Sequence, residues 1–481
     1  MIRFLIDNDI VEINEARADL TLLQFIREHR KKTGTKEGCA AGDCGACTVV
    51  LAEPVSVNGT YQLHYRTVNS CITLMSAIHG KQLIFVEHLS DGKHLHPVQQ
   101  ALVEHHGSQC GFCTPGFIMS MFALYHSNSK PKRDDVLHAL SGNLCRCTGY
   151  RPIIDATLAV CEQAPNDKFS ALQEKTLATL LSLGATPPTG TGNIHTPSTR
   201  EELKALIKAY PEAQLVAGST DLSLQFTQQL KNVNSLISLT HIDALKQCTI
   251  NEHSVTFGAA IPLSDMAPAL LNAFPQVAEL ITRFASLPIR NQATIGGNVA
   301  NASPIGDMPP LLLALNAILH IDNGDDVNTM PISAFFTGYR ETRLAKGEWI
   351  SAIEIPLKQP SQALAAYKIS KRFEDDISAV CAVFNVTIEN GKVEAISSGF
   401  GGVAATPTTC DALERALKGK QFSSTECLHL GKQILFDAFT PIDDVRATAE
   451  YRKKVLANLW HRFWLENQSV SKIETRVVQH A

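Results

Sequence analysis

GCAAGDCGACTV, residues 38–49, sets Cys39, Cys44 and Cys47 among Gly38, Gly42 and Gly45, with Cys71 following further along. The spacing C-x4-C-x2-C…C is one by which four thiolates hold a [2Fe-2S] cluster. Thiolates converge along a loop only if the backbone bends tightly, which residues without a side chain permit. Their amide N–H groups can also point at the sulfides and ease the addition of an electron to an anionic centre. An inert buried thiol needs no such density of glycine.

A second set lies downstream: Cys110 and Cys113 in QCGFCTPG (109–116), then Cys145 and Cys147 in NLCRCTG (143–149). Pairs of the C-x2-C type are commonest in zinc modules, so zinc competes with iron here. Zinc ribbons, however, place their knuckles on short hairpins, and the chain between Cys113 and Cys145 reads as two helices. One is GFIMSMFALYHS (116–127), apolar almost all round. The other is PKRDDVLHALSGN (131–143), opened by Pro131 and an acidic first turn and closed by Gly142. The two ligand sets are expected on independently folding units. The other five cysteines, Cys161, Cys248, Cys381, Cys410 and Cys427, stand singly and read as reduced core residues.

With 481 residues the chain has room for about three domains. A formal charge of −4 and a pI near 6.5 give no reason to expect nucleic acid or an anionic membrane as partner. No stretch is long and apolar enough for a membrane span, and MIRFLIDNDIVEI lacks the features of an export signal, so the expected location is cytoplasmic.

Alternation of Ile2, Phe4 and Ile6 before Asn8-Asp9 predicts a hairpin, and TLLQFIREHR behind Thr21 a capped helix. Two further strands around Asn58-Gly59 end at Cys71, which completes a β-grasp outline. Residues 163–195 are poor in core-like aromatics and end in Pro, Gly and Thr, as a linker does. A capped helix in STREELKALIKAYP and a strand in QLVAGS follow. Strands around Asn390-Gly391 and then helices close the chain.

Two segments of the middle region suit a phosphate: LVAGSTDLSL (215–224), with Gly218-Ser219-Thr220-Asp221, and ATIGGNVANASPIGDMPP (293–310), with Gly296-Gly297-Asn298 and Asp307. A Gly-Gly pair is more often just a turn. Neither segment is G-x-G-x-x-G after a strand, which disfavours a Rossmann site.

GCAAGDCGACTVVL, QCGFCTPGFIMSM and GNLCRCTGYRPI together resemble the iron-sulfur domains of the molybdenum hydroxylases. LVAGSTDL, NQATIGGNVANASPIGD and KRFEDDISAV resemble the FAD domain of the same family. The resemblance runs through essentially the whole chain and implies an α+β multidomain protein. Its parts would be a plant-ferredoxin-like β-grasp [2Fe-2S] domain (1–76), a four-helix-bundle [2Fe-2S] domain (77–165), a linker (166–187), a vanillyl-alcohol-oxidase-type FAD domain (188–361) and a C-terminal α+β domain (362–481). The implied ligands are Cys39, Cys44, Cys47 and Cys71 for one cluster and Cys110, Cys113, Cys145 and Cys147 for the other. The implied FAD contacts are Leu215, Val216, Ala217, Gly218, Ser219, Thr220, Asp221, Leu222, Phe284, Thr294, Ile295, Gly296, Gly297, Asn298, Asp307, Ile350 and Lys368; Phe284 also reads as a core aromatic.

The family's large molybdopterin-binding region is missing from this sequence, so no catalytic residue is expected here. Substrate hydroxylation is expected on a partner subunit, in a heterotetramer of two small and two large chains. By resemblance Gln109, beside Cys110, sits where relatives hydrogen-bond the pterin. Electrons would pass singly through both clusters to FAD, which delivers them in pairs to NAD⁺. Clusters and FAD in one chain favour the xanthine dehydrogenase type, an oxidoreductase of purine catabolism that takes hypoxanthine and xanthine to urate. The alternatives are the same electron chain serving an aldehyde or aromatic-compound hydroxylase, or a zinc-stabilised scaffold without redox activity.

Overall fold

Strand β1 (Ile2–Ile6) alternates as its sequence dictates, and pairs antiparallel with β2 (Asp9–Ile13). The computed structural model describes residues 1–127, 130–190, 192–468, 473 and 475. It divides into two units, Met1–Asp243 with Ser286–Ala293, and Ala244–Ala285 with Thr294–Ala481. Residues 128–129 of the expected 77–165 domain, residue 191 of the expected FAD domain, and residues 469–472, 474 and 476–481 of the expected 362–481 domain lie outside the described residues.

In the first unit β3 (Thr48–Val57) and β4 (Thr60–Asn69) form a hairpin whose turn residues Asn58 and Gly59 both take positive φ, 51° and 79°. With β5 (Gln82–Ile84), parallel to β1, the sheet order is β2-β1-β5-β3-β4, the β-grasp arrangement. Thr21 caps the expected helix through a reciprocal bond with Gln24, but only Leu22–Gln24 is α-helical and Phe25–His29 continues as a π-helix.

Both faces of this sheet are buried. Phe4, Ile6, Val49 and Leu51 pack with Leu22, Phe25 and Ile26 on one side. On the other, Leu5, Val50, Ala52 and Ile84 share a core with Phe117, Met121 and Phe122 of the helix Thr114–Ser127. Three more helices, Pro97–Glu104, Arg133–Leu140 and Arg151–Val160, complete the four-helix set. The two cysteine-bearing regions therefore share one core, in contrast to the independent units expected from sequence. Strict alternation in β3 feeds both sides, a pattern that a sheet covered on two faces requires.

The two regions also meet backbone to backbone. A Cβ on Gly45 would lie 2.1 Å from the Gly142 carbonyl oxygen, and one on Gly116 would lie 2.1 Å from that of Gly45. Asn143, fully buried, donates from Nδ2 to Gly45 O (3.0 Å) and Thr48 Oγ1 (3.1 Å), and accepts from Ser120 Oγ (2.6 Å).

The stretch expected as a linker carries the helix Gln173–Gly184, which buries Thr176, Leu180 and Leu183 and packs on β1, β3 and β4. At its start Asp167 accepts from His96 Nε2 (2.6 Å), His126 Nε2 (2.8 Å) and Ser170 N (2.8 Å). Burial opposes ionisation of this carboxyl, yet the bonds from His126 and His96 hold it well below the usual carboxylate range. A parallel three-stranded sheet, Ile194–His195, Leu236–Ser238 and Gln214–Val216, ends the continuous part of the unit.

The second unit holds an antiparallel sheet in the order Val327–Pro331, Ile318–Asp322, Trp349–Pro356, Ser254–Gly258, Cys248–Ile250. A separate meander, Gln362–Ile369, Val380–Glu389 and Lys392–Gly401, turns at Asn390-Gly391 as its sequence indicates. Against it pack the helices Thr425–Asp437 and Ala449–Glu466, around Phe384, Phe400, Trp460 and Phe463. No described helix is long and apolar enough to cross a membrane.

Gly116→Ala should cost about 1–3 kcal/mol through overpacking and lower both Tm and iron content. Gly184→Ala, which meets no atom within 4 Å, should leave both unchanged. Comparing melting curves and iron content of the two variants checks this.

Stability should also fall with pH in a defined window. Burial lowers His88 and His138 to about 4 each, with Arg290 adding to the effect at His138 and Asp7 opposing it at His88. Their unfolded values lie near 6.5. Between about pH 6.5 and 4 the unfolded chain binds protons that the folded one lacks, so stability declines as pH falls, by at most roughly 1.4 kcal/mol per unit for each group. Urea midpoints across this range should drop, and His138→Gln should flatten the slope.

Candidate iron-sulfur and flavin sites

The first cysteine loop bends through positive φ at Ala40 (52°), Gly42 (82°) and Gly45 (68°). Cys47 Sγ and Cys71 Sγ lie 3.2 Å apart, both buried, and Cys39 Sγ accepts from the amides of Ala41 (3.3 Å) and Cys44 (3.4 Å). The amides of Ala41 and Cys44 thus reach Cys39, and those of Ala46 and Cys71 reach Cys44 and Cys47, while the glycines supply the bend and the close packing. Bonds from the Cys44 and Cys71 thiols hold Cys39 far below the ordinary thiol range, while Cys44 and Cys71 are pushed up in return. Thiols brought this close together are a donor set suited to a cationic centre once deprotonated.

In the second set Cys113 pairs with Cys145, and Cys110 with Cys147. Burial and the bond to Cys145 push the Cys113 thiol up to about 12. Cys145 is lowered despite burial, by bonds from the hydroxyl and amide of Thr148. Cys110 and Cys147 are exposed, as are their neighbours Gln109, Phe112, Leu144 and Tyr150. The two loops are directly linked, since the Leu144 amide donates to the Cys44 carbonyl (3.0 Å).

Neither cysteine set draws three ligand atoms within 4.8 Å of one another, as a single ion would ask; among the described residues only His96, His126 and Asp167 do so. That trio is a hydrogen-bonded clasp. His96 Nδ1 accepts from the Val98 amide (3.3 Å), so its proton sits on Nε2 and is donated to Asp167.

In the first unit the strand Gln214–Val216 runs into the loop from Ala217 to Leu222. A Cβ on Gly218 would lie 1.8 Å from Gln292 O, so only glycine fits. Ser219 takes φ 59°, and its hydroxyl and that of Ser223 both donate to Ile72 O at 2.8 Å.

In the second unit Thr294 Oγ1 caps the turn Ile295–Ala300 by accepting from Gly297 N (3.1 Å). Gly296 packs on Ala259, where a Cβ would approach to 2.4 Å, and Gly297 is exposed. Asn298 Oδ1 is buried with no hydrogen-bond partner among the described residues. Lys368 Nζ and Ser378 Oγ each donate to the Asp307 carboxylate, at 2.6 and 2.5 Å, so Asp307 and Lys368 form a buried pair. Ile350 is buried in its strand, and Phe284 is half-buried beside buried Arg283 rather than a core aromatic. Arg283 binds the carbonyls of Lys368 and Phe373 and stacks on the Phe373 ring. In the acidic run 371–376, Asp376 accepts from the amides of Arg372 and Ile377.

Gly218 and Gly296 serve packing within the protein; in the second unit the exposed Gly297 and the unbonded acceptor of Asn298 fit what a dinucleotide cofactor such as FAD asks of the residues that hold it. Asn143, Ser223 and Gln228 were not legible as site residues, since lone polar side chains carry no spacing signal.

Four family models match in order along the chain. They are the 2Fe-2S iron-sulfur cluster binding domain (5–76), the [2Fe-2S] binding domain (85–158), the FAD binding domain in molybdopterin dehydrogenase (190–358) and the CO dehydrogenase flavoprotein C-terminal domain (365–467). A xanthine dehydrogenase of Emericella nidulans is 32% identical over 99% of this chain and 39% of its own length. The xanthine dehydrogenase/oxidase of Mus musculus is 30% identical over 97% of this chain and 39% of its own. The chain thus spans about two fifths of the length of these relatives.

Among solved structures, a carbon monoxide dehydrogenase chain from Hydrogenophaga pseudoflava superposes with a TM-score of 0.54 at 25% identity, over 58% of this chain and 96% of that one. A quinoline 2-oxidoreductase chain from Pseudomonas putida 86 shares the fold, with a TM-score of 0.53 at 20% identity over 58% and 97%. Two cysteine loops locked back to back, followed by the flavin domains in unbroken family order, make this chain a member of the molybdopterin dehydrogenase family and an iron-sulfur and FAD electron-transfer module of it.

Proposed function

We propose that this chain carries electrons from a molybdopterin centre on a partner subunit to NAD⁺, within an oxidoreductase of the xanthine dehydrogenase type. Cys110, Cys113, Cys145 and Cys147 hold the cluster that receives electrons, and Cys39, Cys44, Cys47 and Cys71 hold the one that passes them on. Flavin-facing residues in the first unit are Leu215–Leu222; in the second they are Phe284, Thr294–Asn298, Asp307, Ile350 and Lys368. The domain limits we assign are 1–76, 77–165, 188–361 and 362–481, with 166–187 as the connection between the iron-sulfur and flavin parts. A cytoplasmic setting suits thirteen cysteines of which none is in a disulfide among the described residues.

The observation that carries this reading is an asymmetry of exposure. The second set opens to solvent at Cys110 and Cys147, ringed by Phe112, Leu144 and Tyr150, exposed by 48, 40 and 36%. The first set is buried at Cys47 and Cys71, beside Leu224 of the segment that continues the loop from Leu215. An exposed apolar ring around a redox ligand set is a surface for a protein donor. When bound, FAD takes up single electrons and releases them in pairs, which is what a change from one-electron clusters to NAD⁺ requires.

A split between chains is supported by the coverage of the solved structures. About three fifths of this chain accounts for nearly all of each matched one, so these modules also occur on shorter polypeptides. Purines as the substrate rest on the named activity of the relatives alone.

Purified chain should contain about four irons and four acid-labile sulfides, the content of two such clusters. Cys44→Ser should abolish one electron-paramagnetic signal and preserve the second. Stoichiometric zinc, or loss of both signals from a folded variant, counts against the assignment. Under anaerobic conditions NADH should bleach the visible absorption of the chain by running the pathway backwards. Phe112→Asp should leave that bleaching intact while weakening capture of the molybdenum subunit at least tenfold by pull-down; unchanged capture would move the docking surface elsewhere.

A further inference from the structure

The segment that follows the flavin loop is tied to the first cysteine loop at three places, all within the first unit. Gln228 Nε2 donates to the carbonyls of Cys39 (2.9 Å) and Ala40 (3.1 Å). Ser219 and Ser223 donate to the carbonyl of Ile72, the residue after Cys71. Leu224 packs against an apolar cluster made of Leu23, Cys47, Cys71 and Ile72. Two of these anchors therefore act on peptide groups next to ligands, and the third touches the ligand side chains.

The direction of dependence follows from what holds each partner in place. Ala40 sits at φ 52° and Ser219 at φ 59°, conformations that cost non-glycine residues energy and persist only when their surroundings fix them. Four thiolates bound to one cluster fix the carbonyls of Cys39, Ala40 and Ile72. Without the cluster Cys39 and Ala40, both half-exposed, lose that restraint, and Gln228 loses the acceptors that help shape residues 215–228, while Ser219 and Ser223 stay on the buried Ile72.

We infer that occupancy of the first cluster and retention of FAD are coupled through this brace, with Gln228, Ser219 and Ser223 as its positioning residues. The inference rests on the ligand and flavin assignments above. Coupling between two binding events is reciprocal, so bound FAD in turn protects the first cluster.

The test uses the full-length chain with its flavin removed, titrated with FAD and followed by flavin fluorescence, with electron-paramagnetic spectra reporting each cluster. Cys44→Ser, lacking the first cluster, should bind FAD at least tenfold more weakly, and Gln228→Ala, with both clusters loaded, threefold or more. Gln229→Ala, one residue along the same segment, should bind FAD as the wild type does. In the wild type, saturating FAD should slow loss of the first cluster's signal to a chelator and leave the second unaffected. That arm stands even where a variant fails to fold.

Loss of the first signal with unchanged FAD affinity would overturn the coupling alone. Chelation of the first cluster at the same rate with and without FAD would do the same. Retention of both signals in Cys44→Ser would overturn the ligand assignment, and the coupling with it.

Discussion

The buried amide of Asn143 holds the iron-sulfur half of the molecule together. It bonds three groups: the Gly45 carbonyl inside the first cysteine loop, Thr48 at the start of the hairpin, and Ser120 on the central helix of the second region. Its position two residues before Cys145 fixes the second loop as well, and the Leu144 amide completes the tie to Cys44. Such proximity is possible only because Gly45, Gly116 and Gly142 have no side chains where backbones meet. Electron transfer between two centres depends steeply on separation, so a rigid, fully satisfied polar contact between the loops is the part of the fold least able to vary. A buried amide with all its partners is costly to disturb, since each abandoned group loses a hydrogen bond without regaining water.

What the sequence made legible follows from how each feature is encoded. Cysteine spacing is local, so both ligand sets could be read before any fold was known, as could the hairpins at Asn58-Gly59 and Asn390-Gly391. The Asn58-Gly59 turn announced β3 as a strand, yet said nothing of the second layer on its far face, because burial on both sides is a property of the partner helices. For the same reason the two iron-sulfur regions read as separate units when they share a core. The stretch from residue 166 looked like a linker because it is poor in aromatics and ends in Pro, Gly and Thr; it is held by Phe169, Leu180 and Leu183, and by the clasp on Asp167, whose two histidines lie 71 and 41 residues away. Contacts at such separation leave no periodic trace.

The flavin half shows a different limit. Asp307 read as an acceptor for ribose hydroxyls, but both its oxygens take bonds from inside the protein, from Lys368 and Ser378. A buried pair of this kind gains its strength from the absence of water, and removing one partner strands the other's charge. Asp307 and Lys368 therefore hold the meander strand Gln362–Ile369 to the segment that follows the Gly296-Gly297 turn, whatever they also offer a cofactor. Asn298 is the reverse case. Its buried oxygen has no donor among the described residues, so unlike Asp307 it keeps an acceptor to offer.

Exposure orders the two cysteine sets in a way that spacing could not. Cluster potentials depend on charge, on hydrogen bonds to sulfur and on contact with solvent, and the sets differ in the last two. The first has backbone amides directed at Cys39 and is closed over at Cys47 and Cys71; the second has Thr148 directed at Cys145 and is open at Cys110 and Cys147. A partner seated on Phe112, Leu144 and Tyr150 would remove water from the open set and so alter its potential on docking. The first set is buried at Cys47 and Cys71 and half-buried at Cys39 and Cys44, so less of it is left for a partner to cover. On the proposed route, docking then acts first on the entry cluster, the set whose ligands meet solvent.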